Sequence, residues 1–243
     1  MTTSPNKILN ALPAAEYKQV VAKLQSVALN LGDILYQPED EIQNVYFVNT
    51  GVISLLAMLE SGATVEAGVI GSEGMLGIPV VLGVRTTPNQ GLVQSKGEAM
   101  MMKAADLRAE FRNGGMLRDL LLRFTHSLFT QVAQTAACNR LHTVDHRLAR
   151  WLLMTHDRVE GDSFALTQDF LSRMLGVRRA GVSVSAGTLK QAGLIDYGRG
   201  SVRIVNREGL EKASCECYRM VKEEYENHLD FQSDPPISTI QAQ

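Results

Sequence analysis

A chain of 243 residues, 45% hydrophobic and 21% charged, has enough apolar material for two domains with separate cores and is not the composition of a disordered chain. No window approaches the roughly 20 consecutive apolar residues of a membrane span, and the start MTTSPNKILN has no secretory core, so a cytoplasmic protein is expected. The net charge of −2 argues against a nucleic-acid partner only until it is divided: residues 1–140 carry 11 Lys+Arg against 12 Asp+Glu, residues 141–205 carry 9 against 6, and residues 206–243 carry 4 against 8. Only the middle block is basic, and the local field rather than the total decides where phosphate is attracted.

In chain order, LPAAEYKQVVAKLQ predicts a first helix, with Pro13 near its start and Leu12, Val20, Val21 and Leu24 apolar. From Leu29 to about Met102 short apolar runs alternate with turn residues, an all-β pattern. Thr50-Gly51 and Ser61-Gly62 read there as turns between strands of a compact sandwich or barrel. After Asn113-Gly114-Gly115 the period becomes helical. Leu117, Leu121, Phe124, Leu128, Val132 and Thr135 form one stripe, and Leu120, Leu122, Phe129, Ala133 and Ala137 fall off it. A long helix that buries two faces follows, one against its own β-domain and one against a second copy. We assign the dimer seam to Leu117, Leu121, Phe124 and Leu128, where Leu121→Glu would produce monomers. Thr143 to Val159 predicts another amphipathic helix, and the last stretch, after Pro235-Pro236, is expected to be a disordered tail.

The most specific segment runs from Leu166 to Val205 and reads helix, tight turn, helix, hairpin. Thr167 is a good N-cap for a helix bearing Phe170, Leu171, Met174 and Leu175, and Gly176 stands where the chain must turn left-handed. A second helix follows with Val182, Ala186 and Leu189 inward and Arg178, Arg179, Ser183 and Val184 outward. This is helix-turn-helix spacing, in which the second helix enters the major groove. The strands on either side of Gly198-Arg199-Gly200-Ser201 form a wing, and Arg199 and Arg203 add charge that releases counterions from DNA.

Leu166 to Val205 resembles the DNA-binding domain of the Crp/Fnr superfamily of transcription regulators. Upstream, LGDILYQPEDEIQNVYFVNTGVISLL resembles the opening strands of that family's cyclic-nucleotide-binding β-roll, so the likeness spans roughly Asn30 to Val205. It implies an α+β chain: an N-terminal antiparallel β-roll sensor over residues 1–114, a long connecting or dimerisation helix over 115–141, and a winged helix-turn-helix over 142–230, with residues 231–243 as tail. It also implies double-stranded DNA, a second copy of the chain and RNA polymerase as partners. By position, Arg179 matches the family arginine that reads guanine, whose O6 and N7 fit a guanidinium fork. Thr167 and Gln168 match phosphate-holding positions. Ala180 and Val184 stand where relatives often carry glutamate and arginine, so the operator is expected to differ. With Arg178, Ser183, Arg199, Ser201 and Arg203 these residues make up the expected DNA face.

In cyclic-nucleotide-binding relatives a glutamate takes the ribose hydroxyl, and an Arg-Ser or Arg-Thr pair takes the phosphate. Glu73, Arg85 and Thr86 are the corresponding effector candidates, but their loop is long and apolar through Ile78-Pro79-Val80-Val81-Leu82. A different small effector, or none, is expected in place of a cyclic nucleotide. The cysteines Cys138, Cys215 and Cys217 make no disulfide framework, and Cys215-Glu216-Cys217 reads as lacking the partners of a four-ligand metal site. His142 and His146 read as a helix surface. No nucleophile–base pair or phosphate loop appears, so neither a catalytic nor a metal site is expected. The rival reading is a protein-binding sensor whose winged helix has lost DNA affinity.

Overall fold

A computed structural model describes residues 4–198 and 200–229. The chain opens with α1 (Lys7–Asn10), capped by Asn6, whose side chain also donates to the carbonyls of Val48 and Gly74 at 2.8 Å each. Helix α2 (Ala14–Val21) follows, and then the strands β1 (Gln25–Leu29), β2 (Ile34–Tyr36), β3 (Asn44–Met58), β4 (Thr64–Ile70) and β5 (Met75–Leu76). A short helix α3 (Ile78–Val81), the long strand β6 (Asn89–Lys103) and α4 (Ala104–Asn113) complete the N-terminal part. The strands pair antiparallel in the order β1-β6-β3-β4, with β2 on β6 and β5 on β3.

Two expectations change here. Thr50-Gly51 is not a turn, because β3 runs straight through it and pairs with β6 on both sides with shifted register. Gly51 has φ +84°, and a Cβ on the facing Gly97 would lie 2.0 Å from the Thr50 carbonyl oxygen. Glycine at both positions therefore permits a bulge that bends one long strand. The apolar stretch around Pro79, read as part of a long loop, instead forms the short helix α3, with Ile78, Val80 and Val81 buried.

Helix α5 (Met116–Leu141) is 26 residues long, about 39 Å at the helical rise. Its free N-terminal amides are met by Glu16 of α2, which accepts from Met116 N at 3.1 Å and Leu117 N at 2.7 Å. The seam expected to join two copies is turned inward: Leu117, Leu121 and Phe124 are at most 1% exposed and Leu128 7%. Those four side chains belong to the chain's own core, and their stripe serves the β-roll. A second, solvent-facing side of the helix carries Leu122, Phe129, Ala133, Ala136, Ala137 and Arg140, with Phe129 71% exposed. The stripe assigned from the sequence to a second copy is thus the one that packs within its own chain.

The C-terminal part consists of α6 (Val144–His156), β7 (Ser163–Ala165), α7 (Gln168–Leu175), α8 (Arg179–Gln191), β8 (Ile195–Gly198), β9 (Ser201–Ile204), α9 (Arg207–Ala213) and α10 (Glu216–Leu229). Its sheet has the order β7-β9-β8. Helix α10 returns along α5, where Gln131 Nε2 donates to Tyr225 Oη at 2.8 Å. Helix α6 and the turn after it rest on the β-roll through three polar contacts. Trp151 Nε1 donates to Glu66 at 2.8 Å, Gln94 Nε2 to Thr155 at 2.9 Å, and Arg158 Nε to Glu73 at 2.8 Å. The expected tail, residues 231–243, lies outside the described residues.

Candidate nucleic-acid interface

Local chemistry builds the helix pair. Thr167 caps α7, its hydroxyl accepting from Phe170 N at 3.1 Å. Gly176 ends that helix at φ 60°, ψ 37°, the left-handed conformation in which a Cβ is unfavourable. Arg178 is the extended residue before α8. The inner face of α8 holds Val182, Ser185, Ala186 and Leu189, all buried, and this packing sets the rotation of the helix about its axis. Arg178, Arg179, Ala180 and Val184 are left exposed, Val184 by 70%.

The outward residues are ordered by neighbours on α7. Gln168 Oε1 accepts from Ser183 Oγ at 2.9 Å and from Arg179 Nε at 3.3 Å, and Asp169 lies 3.4 Å from the Arg179 guanidinium. Gln168 thus positions two candidate base readers, a role that its phosphate-holding assignment by resemblance did not include. Asp169 was not singled out at all, although an acidic residue in the first turn of α7 facing a basic turn of α8 is a readable signal.

On the wing, Ser201 and Arg203 are exposed. Asp196 draws on two cations: Lys190 Nζ lies 3.0 Å away and Arg203 3.8 Å away. The Lys190 hydrogen bond and charge hold the Asp196 carboxyl below its ordinary range. Arg199 at the wing tip lies outside the described residues.

Residues 146–213 match the family model for the Crp-like helix-turn-helix domain. This segment is a Crp-like helix-turn-helix domain. The chain as a whole has the fold of solved Crp/Fnr-type regulators. FixK2 from Bradyrhizobium japonicum superposes with a TM-score of 0.67 at 17% identity, covering 79% of this chain and 98% of that one. The c-di-GMP-responsive global regulator CLP from Xanthomonas campestris gives 0.62 at 16% identity, covering 79% and 99%. A CRP-family transcriptional regulator from Thermus thermophilus gives 0.63 at 15%, covering 77% and 96%. No curated protein matches by sequence. The domain match and these structural likenesses are to regulators, not to enzymes.

Outside the Crp-like domain, the three effector candidates are not brought together. Glu73 is buried and paired with Arg158, whose own side chain is 9% exposed. Arg85 is 72% exposed and faces Glu41 at 3.5 Å, and Thr86 is half-buried. The space between β-roll and α5 is a cavity of about 290 Å³, lined by Tyr36, Leu55, Pro79, Thr87, Leu128 and Phe129 among others. No charged side chain lines it among the described residues. Glu73 and Arg85 do not converge: Arg158, in the turn just after α6, reaches the roll and pairs with Glu73, a contact that sequence order conceals. The cysteines also change standing: Cys215-Glu216-Cys217 does have partners, since Cys138 and His142 lie beside it.

Proposed function

We propose that the chain is a sequence-specific regulator that binds double-stranded DNA as a homodimer, α8 of each copy entering a major groove. The supporting observation is the outward start of α8, where the N-cap Arg178 and, on the helix, Arg179, Ala180 and Val184 stand exposed above a buried apolar face. Arg179 reads guanine, Ser183 supplies a hydroxyl, and Ala180 and Val184 meet thymine methyls. Thr167, Gln168, Ser201 and Arg203 hold phosphate and so set register. Residues 1–114 act as sensor, 115–141 as connecting helix and 142–230 as DNA-binding part, with transcription output passing through RNA polymerase, the partner that the resemblance implies.

The test is a gel-shift titration on a duplex selected from random DNA and on a random duplex. Arg179→Ala is expected to weaken the selected duplex by about 1–3 kcal/mol and to relax one base position, leaving the random duplex nearly unchanged. Arg203→Ala is expected to weaken both duplexes alike and to flatten the salt dependence, because it removes a phosphate contact. Equal losses for both variants on both duplexes overturn this division of roles.

The sensor is proposed to take an apolar small effector in the cavity beside α5. A cyclic phosphate needs a convergent cation, whereas Arg85 points to solvent and Arg158 is committed to Glu73. Calorimetric titration with cyclic AMP or cyclic GMP is therefore expected to give no binding heat; saturable submillimolar binding of either refutes this. Phe129 lines the cavity and also stands on the exposed face of α5. An effector that moves Phe129 therefore alters helix pairing and the spacing of two recognition helices.

A further inference from the structure

The end of α5 and the start of α10 meet at a cluster that the proposed DNA contacts leave unused. Cys138 and His142 lie one helical turn apart, His142 being the C-cap of α5, and Cys215 and Cys217 bracket the first residue of α10. The candidate ligand atoms of all four lie within 4.8 Å of one another. Cys138 Sγ is 3.5 Å from Cys215 Sγ, and Cys217 Sγ is 3.5 Å from His142 Nδ1.

Those separations have the scale of a single ion. Zinc bonded to sulfur at about 2.3 Å and to nitrogen at about 2.0–2.1 Å places tetrahedral ligands roughly 3.5–3.8 Å apart. An iron–sulfur cluster must fit its irons and sulfides between its thiolates and needs a wider cage. Three sulfurs with one imidazole, largely closed to solvent, suit a structural zinc site, and the cysteines are 0%, 6% and 1% exposed.

The surroundings point the same way. The other ring nitrogen of His142, Nε2, lies 3.5 Å from Glu216 Oε2, the carboxylate contact that fixes the tautomer of a metal-bound histidine. Gln134 Nε2 donates to Cys217 Sγ at 3.1 Å, a bond that favours a thiolate acceptor. Arg150 is buried close by, its guanidinium donating to Thr135 of α5 at 3.0 Å.

We propose that Cys138, His142, Cys215 and Cys217 bind one Zn²⁺ ion in a closed site that clamps α10 to the end of α5. Uptake releases three thiol protons to solvent and involves no electron transfer. One net negative charge remains on the site, which Arg150 offsets. The next helix, α6, begins at Val144, so the ion sits at the joint where the Crp-like domain leaves the long helix. Metal loading fixes that joint, independently of how α8 reads DNA.

Full-length protein purified under reducing conditions is expected to carry about one zinc per chain by mass spectrometry of the metal. Cobalt(II) in its place is expected to give the intense visible bands of a tetrahedral thiolate site. Glu216→Gln, which changes an exposed carboxylate facing the ligand ring, is expected to lower zinc affinity about 10–100-fold with the circular dichroism unchanged. Cys217→Ser is expected to lower it further. Unmodified protein that is folded yet takes up neither zinc nor cobalt overturns the proposal. So does a Cys138–Cys215 disulfide in protein isolated with thiols blocked, or parental zinc affinity in both variants.

Discussion

Phe129→Glu is expected to turn the proposed homodimer into monomers. Phe129 stands on the exposed side of α5 at the rim of the β-roll cavity, with Leu122, Ala133, Ala136 and Ala137 along the same side of the helix. The alanines let a second helix approach closely, and the phenyl rings supply the apolar area. Burying each ring is worth about 1.5–3 kcal/mol, and symmetry applies the loss twice, so the dissociation constant rises by roughly 10²–10⁴. Opposed carboxylates in a helix seam add repulsion. Sedimentation velocity at micromolar protein measures it: unchanged dimer in Phe129→Glu removes this face from the assembly. Leu121→Glu is expected to behave differently and lower the folding stability of the single chain, because Leu121 is 0% exposed inside the β-roll core.

The second large effect is a dependence on pH. Glu66 of β4 is buried where α6 meets the β-roll, and desolvation pushes its carboxyl from the ordinary 4.5 up to about 7. The Trp151 indole and the Ser54 hydroxyl contact it at 2.8 and 2.7 Å, and both moderate that rise. Because the folded value lies above the unfolded one, folding binds a proton in this window. The stabilisation is complete below about pH 4.5, falls as pH rises, and is lost once pH passes about 7. A shift of this size corresponds to about 3 kcal/mol between the two ends. Glu66→Gln reproduces the protonated acid, its carbonyl accepting from Trp151 and its amide donating to Ser54. At pH 8 the variant is expected to be more stable than the parent by up to about 3 kcal/mol, and at pH 4.5 equal to it. Urea unfolding at the two pH values decides this; parallel curves for parent and variant at both rule out Glu66 as the titrating group.

What could be read in the residues follows the range of the interactions. The helix-turn-helix was legible because its determinants are near neighbours: the Thr167 cap, the left-handed Gly176, and the three- and four-residue spacing of Val182, Ala186 and Leu189. The alternation from Leu29 to Met102 marked strands for the same reason. It did not reveal that β3 continues through Gly51, since a bulge and a turn both require glycine and only the facing strand β6 separates them. Asp169 entered the site, and Gln168 gained a positioning role there, through their approach to Arg179 across the helix pair.

The sequence by itself determined the strand-rich N-terminal part, the long helix, the helix-turn-helix and the outward arginines at the start of α8, because periodicity, caps and turns act within a few residues. Tertiary structure alone decided which face of α5 meets the β-roll. It also committed Glu73 to Arg158 and away from Arg85, and it carried Cys215 to Cys138 across 77 positions. Periodicity states how many faces a helix has, whereas the partner of each face depends on how distant segments pack, and that information lies in no local window.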